Sequence, residues 1–381
     1  MKSKFLKALP LVVAAILATT SVFGAKPDRK TTNTQSAASC GCPSTMDVDS
    51  GCVNCVGGCN APARYDLRCP FGVFFSADFL YWQAREDNLA YGITTTNPIG
   101  SPPLNGVVLN PKFKWHPGVK VGLGFSFDQD SWDLFAEWTH YVSHNNTTTQ
   151  APVGGFIIPT LNNPATSVFS AFLGTPVDAA MTWRLIYNTA DLNLSRAYCL
   201  GKMLNFTPRV GVRGSWFKQS YDTQYDGLRT ALSIPVGVYR IHTKLNSWGL
   251  GPRFGVDTNW MLGAGFRLFG NVNASLLYTK FNVAKTQTST TIFGTITALS
   301  VQNKRGNAQL RPNMDANLGI GWGSFFDNSN WHLDFAISYD FNYWMDANAD
   351  MTFVDTYANG KFVSGGNLSL HGGTFRMRLD F

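Results

Sequence analysis

The chain has 381 residues, of which only 14% are charged, while 14% are aromatic and 36 are glycine. Soluble proteins carry roughly 25% charged residues, so this balance argues against an ordinary soluble or disordered chain and fits a membrane β-barrel. The formal charge of +7 falls further if the basic N-terminus is removed, which leaves no case for nucleic-acid binding.

Lys2, Lys4 and Lys7 precede an apolar run from Ala8 to Ala18, and Val22-Phe23-Gly24 offers a small-residue cleavage site. Residues 1–24 therefore read as a secretory signal peptide. The apolar run is too short for a spanning helix, which needs about 20 residues. No later segment reaches that length without polar residues, so a membrane location demands a closed barrel.

Residues 25–70 read as an irregular, Cys-rich periplasmic extension. Cys40, Cys42, Cys52, Cys55, Cys59 and Cys69 are disulfide candidates, because an exported chain meets an oxidising compartment. Cys52-x2-Cys55 is half a zinc motif with no second half and no nearby His, so no metal is expected. The disulfides are expected within the chain or between this chain and its copies or other envelope proteins. Cys199 stands alone near an expected turn.

From residue 71 onward the chain alternates apolar and polar residues, the period of a strand with one face toward lipid. Strand one, 71–81, puts Phe71, Val73, Phe75, Ala77, Phe79 and Tyr81 outward and Asp78 inward. Strand two puts Phe113, Trp115, Val119, Val121, Leu123, Phe125 and Phe127 outward, against Lys114, His116 and Lys120. After a short turn at 128–131, strand three sets Trp132, Leu134, Ala136 and Trp138 against Asp133 and Glu137. Strand four lies near Met181 to Leu194, and its phase changes around Asn188, which suggests a bulge. Strand five runs from Leu204 to Lys218, with Arg209, Gly211 and Arg213 inward. Strand six ends near Val256, with Trp248, Leu250, Phe254 and Val256 outward and Arg253 inward. Strand seven sets Phe266, Leu268, Val272, Ala274, Leu276 and Tyr278 against Arg267, Asn271 and Asn273. Strand eight sets Met314, Ala316, Leu318, Ile320 and Trp322 against Arg311, Asn313, Asp315 and Asn317. Strand nine sets Trp331, Leu333, Phe335, Ile337, Tyr339 and Phe341 against His332, Asp334 and Asp340. Strand ten ends the chain, with Phe375, Met377, Leu379 and Phe381 outward and Arg376, Arg378 and Asp380 inward.

The fold class is therefore all-β: a transmembrane antiparallel barrel over residues 71–381 with at least ten strands. Further strands in the long connections, Ile292 to Val301 among them, would raise the number to as many as sixteen. Connections after strands two, four, six and eight are short and the others long, the asymmetry of periplasmic turns and outer loops. Trp115, Trp132, Trp322, Trp331 and Trp344 fall near strand ends, where the bilayer interfaces favour indole rings.

Little in the chain points to chemistry. His332 and Asp334 share a strand face and read as inner-wall residues rather than a catalytic pair. Gly122-x-Gly124 and Gly249-x-Gly251 sit inside strands, not at a strand-to-helix turn, so no nucleotide site and no cofactor is expected. An outer-membrane lipase or protease would need a nucleophile and base clustered at the rim, and none is visible. The inward charges are the pore-lining candidates: Lys114, Lys120, Arg209, Arg213, Arg253, Arg267, Arg311, Asp315, Asp334, Arg376 and Arg378. Asp78, Asp133, Glu137, Asp340 and Asp380 add the acidic side. Basic residues lead slightly, which points to an anion preference in a water-filled lumen.

Several segments carry a family resemblance. They are Asp78-Phe79-Leu80-Tyr81-Trp82 with Arg85-Glu86-Asp87, Trp115-His116-Pro117-Gly118 to Gly124, Trp132-Asp133-Leu134, Pro208 to Gly214, and Trp248-Gly249-Leu250-Gly251-Pro252-Arg253. In this order they resemble the Legionella-type major outer membrane proteins and their relatives in chlamydia-like bacteria. The resemblance covers about 71–381 and implies an abundant, surface-exposed, pore-forming outer-membrane protein with no catalytic residue. The cysteines of 40–69 depart from the Legionella-type pattern and look like the disulfide-linked envelopes of the chlamydial relatives. The expected function is a porin for ions and small hydrophilic solutes. The alternative is a structural or adhesive surface protein with disulfide cross-links and a closed lumen. Expected partners are outer-membrane lipids and the barrel-assembly machinery, which would read Phe375, Met377, Leu379 and Phe381.

Overall fold

The computed structural model describes residues 72–96, 105–127, 132–161, 176–200, 203–226, 237–291, 294–303, 308–328, 330–348, 352–353, 362–363 and 365–381. The expected signal peptide, the expected extension with its six cysteines, Phe71 and the expected turn at 128–131 lie outside them. Ten strands make the wall: β1 Val73–Glu86, β2 Trp115–Ser126, β3 Trp132–Gln150, β4 Asp178–Arg196, β5 Leu204–Asp226, β6 Gly237–Gly263, β7 Phe266–Thr291, β8 Ala308–Phe326, β9 Trp331–Trp344 and β10 Leu368–Asp380. Each pairs antiparallel with its chain neighbours, and β10 closes on β1. Among the described residues no helix is long and apolar enough to cross a membrane.

The register sets the size of the barrel. Followed once around from Glu86 through Leu368, Trp344, Asn313, Ser275, Arg253, Gly211, Asn193, Phe135 and Gly124, it returns to Phe74, twelve residues lower on β1. With strands about 4.8 Å apart and a rise of about 3.3 Å per residue, that stagger tilts the strands by roughly 40° and gives a backbone diameter of roughly 20 Å. Eight strands just hold their own side chains, and sixteen leave an aqueous channel. Ten lie near the filled end of that range.

The outer face is an apolar belt edged by aromatics. Phe75, Phe79, Leu123, Val210, Phe254, Leu318, Ile337 and Phe375 are exposed there. Trp260, Trp322 and Trp331 mark the short-turn edge, and Tyr81, Trp115, Trp138, Trp216, Trp248, Tyr278 and Tyr339 the long-loop edge. Trp344 departs from expectation: it shares the inward face of β9 with Asp340 and Asn342 and is buried. Phe113 precedes β2 and turns inward, its ring edge-on to Trp183 at 5.2 Å.

Strands β3 to β7 run well past the 9–11 residues that cross a bilayer, and β6 continues to Gly263 rather than ending near Val256. Above the long-loop edge the two faces exchange character. Outward positions become His140, Asn188, Lys218, Lys244 and Lys280, while inward ones become Met181, Trp183, Leu185, Tyr221, Leu245 and Phe281, all buried. The barrel is thus lipid-facing below and folded like a soluble protein above. This exchange explains β4. The expected bulge is absent, since pairing to β3 and β5 runs unbroken through Asn188. The phase change in the sequence is the wall leaving the membrane.

Long connections cover the long-loop end. Gly92–Thr95, Val107–Leu109 and Phe156–Pro159 form a three-stranded sheet, tied down by Tyr91, whose hydroxyl bonds Thr149 Oγ1 at 2.8 Å and whose carbonyl accepts from the Tyr225 hydroxyl. Leu89, Tyr91, Ile157 and Leu161 join the core below. The segment Gly294–Asn303 is a strand, as the sequence suggested, but it pairs with the upper end of β7 rather than adding to the wall, which stays at ten. Cys199 lies in the short strand Tyr198–Cys199 beside β5, and the six cysteines of 40–69 lie outside the described residues.

Candidate functional site

Alternation in ten strands delivers the inner wall, and the membrane-spanning part of that wall is charged. One network joins β4 to β8. Arg213 donates Nε and Nη2 to the two carboxylate oxygens of Asp191, both at 2.6 Å, and Nη1 to Asp315 Oδ1 at 2.8 Å. Arg253 forks onto Asp315 at 2.7 and 2.9 Å, and Asn273 adds a donor at 2.9 Å. A second network joins β9, β10, β1, β2 and β3. Arg376 grips Asp78 at 2.7 and 3.0 Å, and Lys120 lies 3.7 Å from Glu137 and 4.0 Å from Asp340. Nearer the short turns, Arg267 pairs with Asp334, Arg209 with Asp257, and Arg378 with Asp380 at 2.6 Å.

Burial makes these pairs consequential. Removing two charges from water costs several kcal/mol per ion, and the Coulomb attraction offsets that only with good geometry and full hydrogen bonding. The forked arginines supply the geometry, though Arg253 Nε and Arg209 Nε stay without a partner. Glycine makes room for the layer: a Cβ on Gly122 would meet the Phe135 ring at 2.4 Å, and one on Gly124 the Phe74 ring at 2.0 Å. These two rings stack at 5.5 Å across β2, which accounts for the Gly-x-Gly pattern by packing.

Above the charges the lumen mixes buried apolar side chains with polar ones such as Gln219, Thr243 and Gln287, and it is crossed by rings. Tyr187 stacks on Phe217 at 4.8 Å, and Phe217 meets Trp344 edge-on at 4.7 Å. These residues stand on β4, β5 and β9, so the contact runs from wall to wall. Asn342 on β9 donates to the Tyr187 hydroxyl at 3.1 Å, and Trp82 tilts against Tyr141 at 6.0 Å.

The structure sorts the sequence candidates. Lys120, Arg209, Arg213, Arg253, Arg267, Asp315, Asp334, Arg376 and Arg378 all face inward into the charged layer. Arg311 also faces inward, but higher, in that upper layer over the Phe281 ring. Lys114 is exposed just before β2. His332 and Asp334 do not pair with each other: His332 Nδ1 bonds Asp380 Oδ2 at 3.0 Å, and Asp334 takes Arg267. Asp191 and Asp257 were missed. An unbroken alternation through β4 would have exposed Asp191 as inward. With both included and Lys114 and Arg311 elsewhere, acids outnumber bases in the layer, which reverses the balance read from the sequence. Among the described residues no group of His, Cys, Asp and Glu is arranged to hold a metal ion.

No curated protein matches the sequence. Among solved structures, the outer membrane protease OmpT of Escherichia coli aligns at 9% identity and TM-score 0.37, covering 82% of this chain and 97% of that one. A FadL homologue of Pseudomonas aeruginosa aligns at 6% identity and TM-score 0.25, covering 81% and 89%. The toluene transporter TodX of P. putida aligns at 8% identity and TM-score 0.29, covering 82% and 91%. Likeness of that order carries no inference about activity. The family described as the Legionella pneumophila major outer membrane protein precursor matches residues 72–381, the whole described barrel. With the lipid-facing belt and closed wall, that match makes the chain a member of the Legionella-type major outer membrane protein family, a β-barrel of the bacterial outer membrane.

Proposed function

We propose that this protein is an outer-membrane porin that passes ions and small hydrophilic solutes through its charged lumen, with the aromatic layer at the long-loop end as the constriction. The observation that carries the reading is the inner wall. In the membrane-spanning part it presents a layer of charged and polar groups drawn from all ten strands. Such a wall substitutes for the hydration shell of a passing ion, and the facing acid and base rows shape the field across the path. The excess of acids there favours cations. Long loops face the cell exterior, and the short turns, both ends of the barrel and the Cys-rich extension face the periplasm. A signal peptide at 1–24 directs export, the assembly machinery reads the last strand, and disulfides from the extension link the chain to itself or to envelope neighbours. No catalysis is assigned.

A second reading is a structural or adhesive surface protein with a sealed lumen. The Tyr187–Phe217–Trp344 contact, which spans the barrel, favours it. Single-channel recording in a planar bilayer, with a salt gradient, separates the two. Discrete steps with a cation-selective reversal potential support the porin. A folded but silent barrel supports the sealed form.

A further inference from the structure

Four cations stand together on the outside of the wall, just above the long-loop edge of the apolar belt. Arg184 on β4, Lys218 on β5, Lys244 on β6 and Lys280 on β7 are all exposed. The register sets them in three rows. In the lowest, Lys280 lies opposite Trp248, and Trp248 lies opposite Trp216. The Lys280 ammonium sits 5.7 Å from the Trp248 ring centroid. One outward position higher, Lys218 lies opposite Asn246. One higher again, Ser220 has Arg184 opposite it on one side and Lys244 on the other. Ser220 is thus flanked by Arg184 and Lys244 across the strands and by Lys218 along its own. With strands about 4.8 Å apart and a rise of about 3.3 Å per residue, these three cations stem from backbone positions within roughly 10 Å of one another.

The patch carries no matching acids. Asp222, the next outward residue after Ser220, is taken by His242. Asp178 and Asp226 lie opposite each other at the far ends of β4 and β5. Among the described residues none of the four cations makes an ion pair. The charge is also one-sided. At outward positions above Tyr81 and Tyr339, β9, β10 and β1 present Phe341, Tyr343, Ser369, His371 and Gln83, with Arg85 as the one cation.

We propose that Arg184, Lys218 and Lys244 dock the phosphate-bearing headgroup of a lipid in the leaflet on the long-loop side, with its phosphate over Ser220 and its acyl chains along the belt past Trp216 and Trp248. Like charges this close repel one another, and an anion between them removes the repulsion. The position selects the kind of anion. Tryptophan and tyrosine rings settle at headgroup level, so the row of Trp216, Trp248 and Lys280 marks that level and the other cations stand directly above it. Basic clusters at a membrane surface attract anionic headgroups. The guanidinium forks onto phosphate oxygens, the ammonium groups act as point charges, and the Ser220 hydroxyl adds a donor. A choline headgroup brings its own cation and gains less. An acidic protein segment would match the charges but would leave the belt directly below unused. The site lies outside the wall, so it stands whether the lumen conducts or is sealed.

The test is electron paramagnetic resonance of spin-labelled lipids in phosphatidylcholine vesicles holding the refolded mature chain. The motionally restricted fraction reports lipid held against the barrel. Spin-labelled phosphatidic acid is expected to associate about fivefold or more strongly than spin-labelled phosphatidylcholine. The triple variant Arg184→Gln, Lys218→Gln, Lys244→Gln brings that ratio to within about twofold of one, while Arg85→Gln on the opposite wall leaves it unchanged. All these positions are exposed, and heat modifiability checks that each variant folds; if the triple variant does not, Lys218→Gln and Lys244→Gln are measured singly and each lowers the ratio about twofold. No preference for phosphatidic acid, a preference that survives loss of the patch, or an equal loss in Arg85→Gln overturns the proposal. The last result would make the preference a matter of diffuse charge, and the first would leave the patch to an acidic protein.

Discussion

Tyr187 on β4 and Asn342 on β9 stand on opposite walls of the barrel and meet through a hydrogen bond of 3.1 Å. The bond marks the border between the two lumen layers. Below it Asp191, Arg213 and Asp315 form the charged network, and above it Phe217 and Trp344 close the ring contact.

Trp344 is the keystone of that contact. Its replacement by alanine leaves Tyr187 and Phe217 without cover, and large-to-small core changes of this kind cost about 3–5 kcal/mol. The expected variant still forms a barrel but unfolds at lower urea and shows larger conductance steps than the parent. Equal steps in both would place the constriction elsewhere.

Arg213 holds two acids at once. Arg213→Met strands Asp191, while Asp315 keeps the Arg253 fork, and breaking a buried pair from one side costs about 3–5 kcal/mol. Removing an acid as well, in Arg213→Met with Asp191→Asn, is expected to recover part of the loss. Urea unfolding in micelles, followed by tryptophan fluorescence, checks this; a double variant no more stable than the single one contradicts the pairing argument.

The border of the membrane on β4 is testable by two arginines. Leu192 faces lipid at 44% exposure, and a lipid-facing arginine near the midplane costs about 2–4 kcal/mol. Asn188, four residues toward the long loops, lies where the wall leaves the bilayer, so Asn188→Arg is expected to cost about 0–1 kcal/mol. Comparable costs at both positions, measured by unfolding in liposomes, would move the border.

Phe381 completes the last strand. Its backbone N–H donates to the Val73 carbonyl at 3.0 Å, and its ring sits 4.9 Å from Trp331. Phe381→Asp puts a charge at the short-turn edge of the belt and is expected to lower the yield of heat-modifiable barrel in the outer membrane. Normal surface abundance would argue against a role in assembly.

The wall was legible because strand alternation is a local pattern. Arg376 beside Met377, or Asp315 beside Ala316, declares its face without reference to any other strand. Which charges meet was not legible, since Arg213 with Asp315 and Arg376 with Asp78 are fixed by register around a closed barrel. Asp191 escaped for a physical reason. The environments inside and outside the wall exchange near Tyr187 and Asn188, and an apolar–polar reading cannot tell that exchange from a slipped strand. Trp344 misled in the same way, because an indole at a strand end suits an interface as well as an interior.

The most direct test of the central claim is single-channel recording of the refolded mature chain and its Trp344→Ala variant in a planar bilayer under a salt gradient. The charged lumen with an aromatic constriction predicts small, discrete, cation-selective steps in the parent and larger ones in the variant. Barrels that are folded by heat modifiability yet silent in both would contradict it.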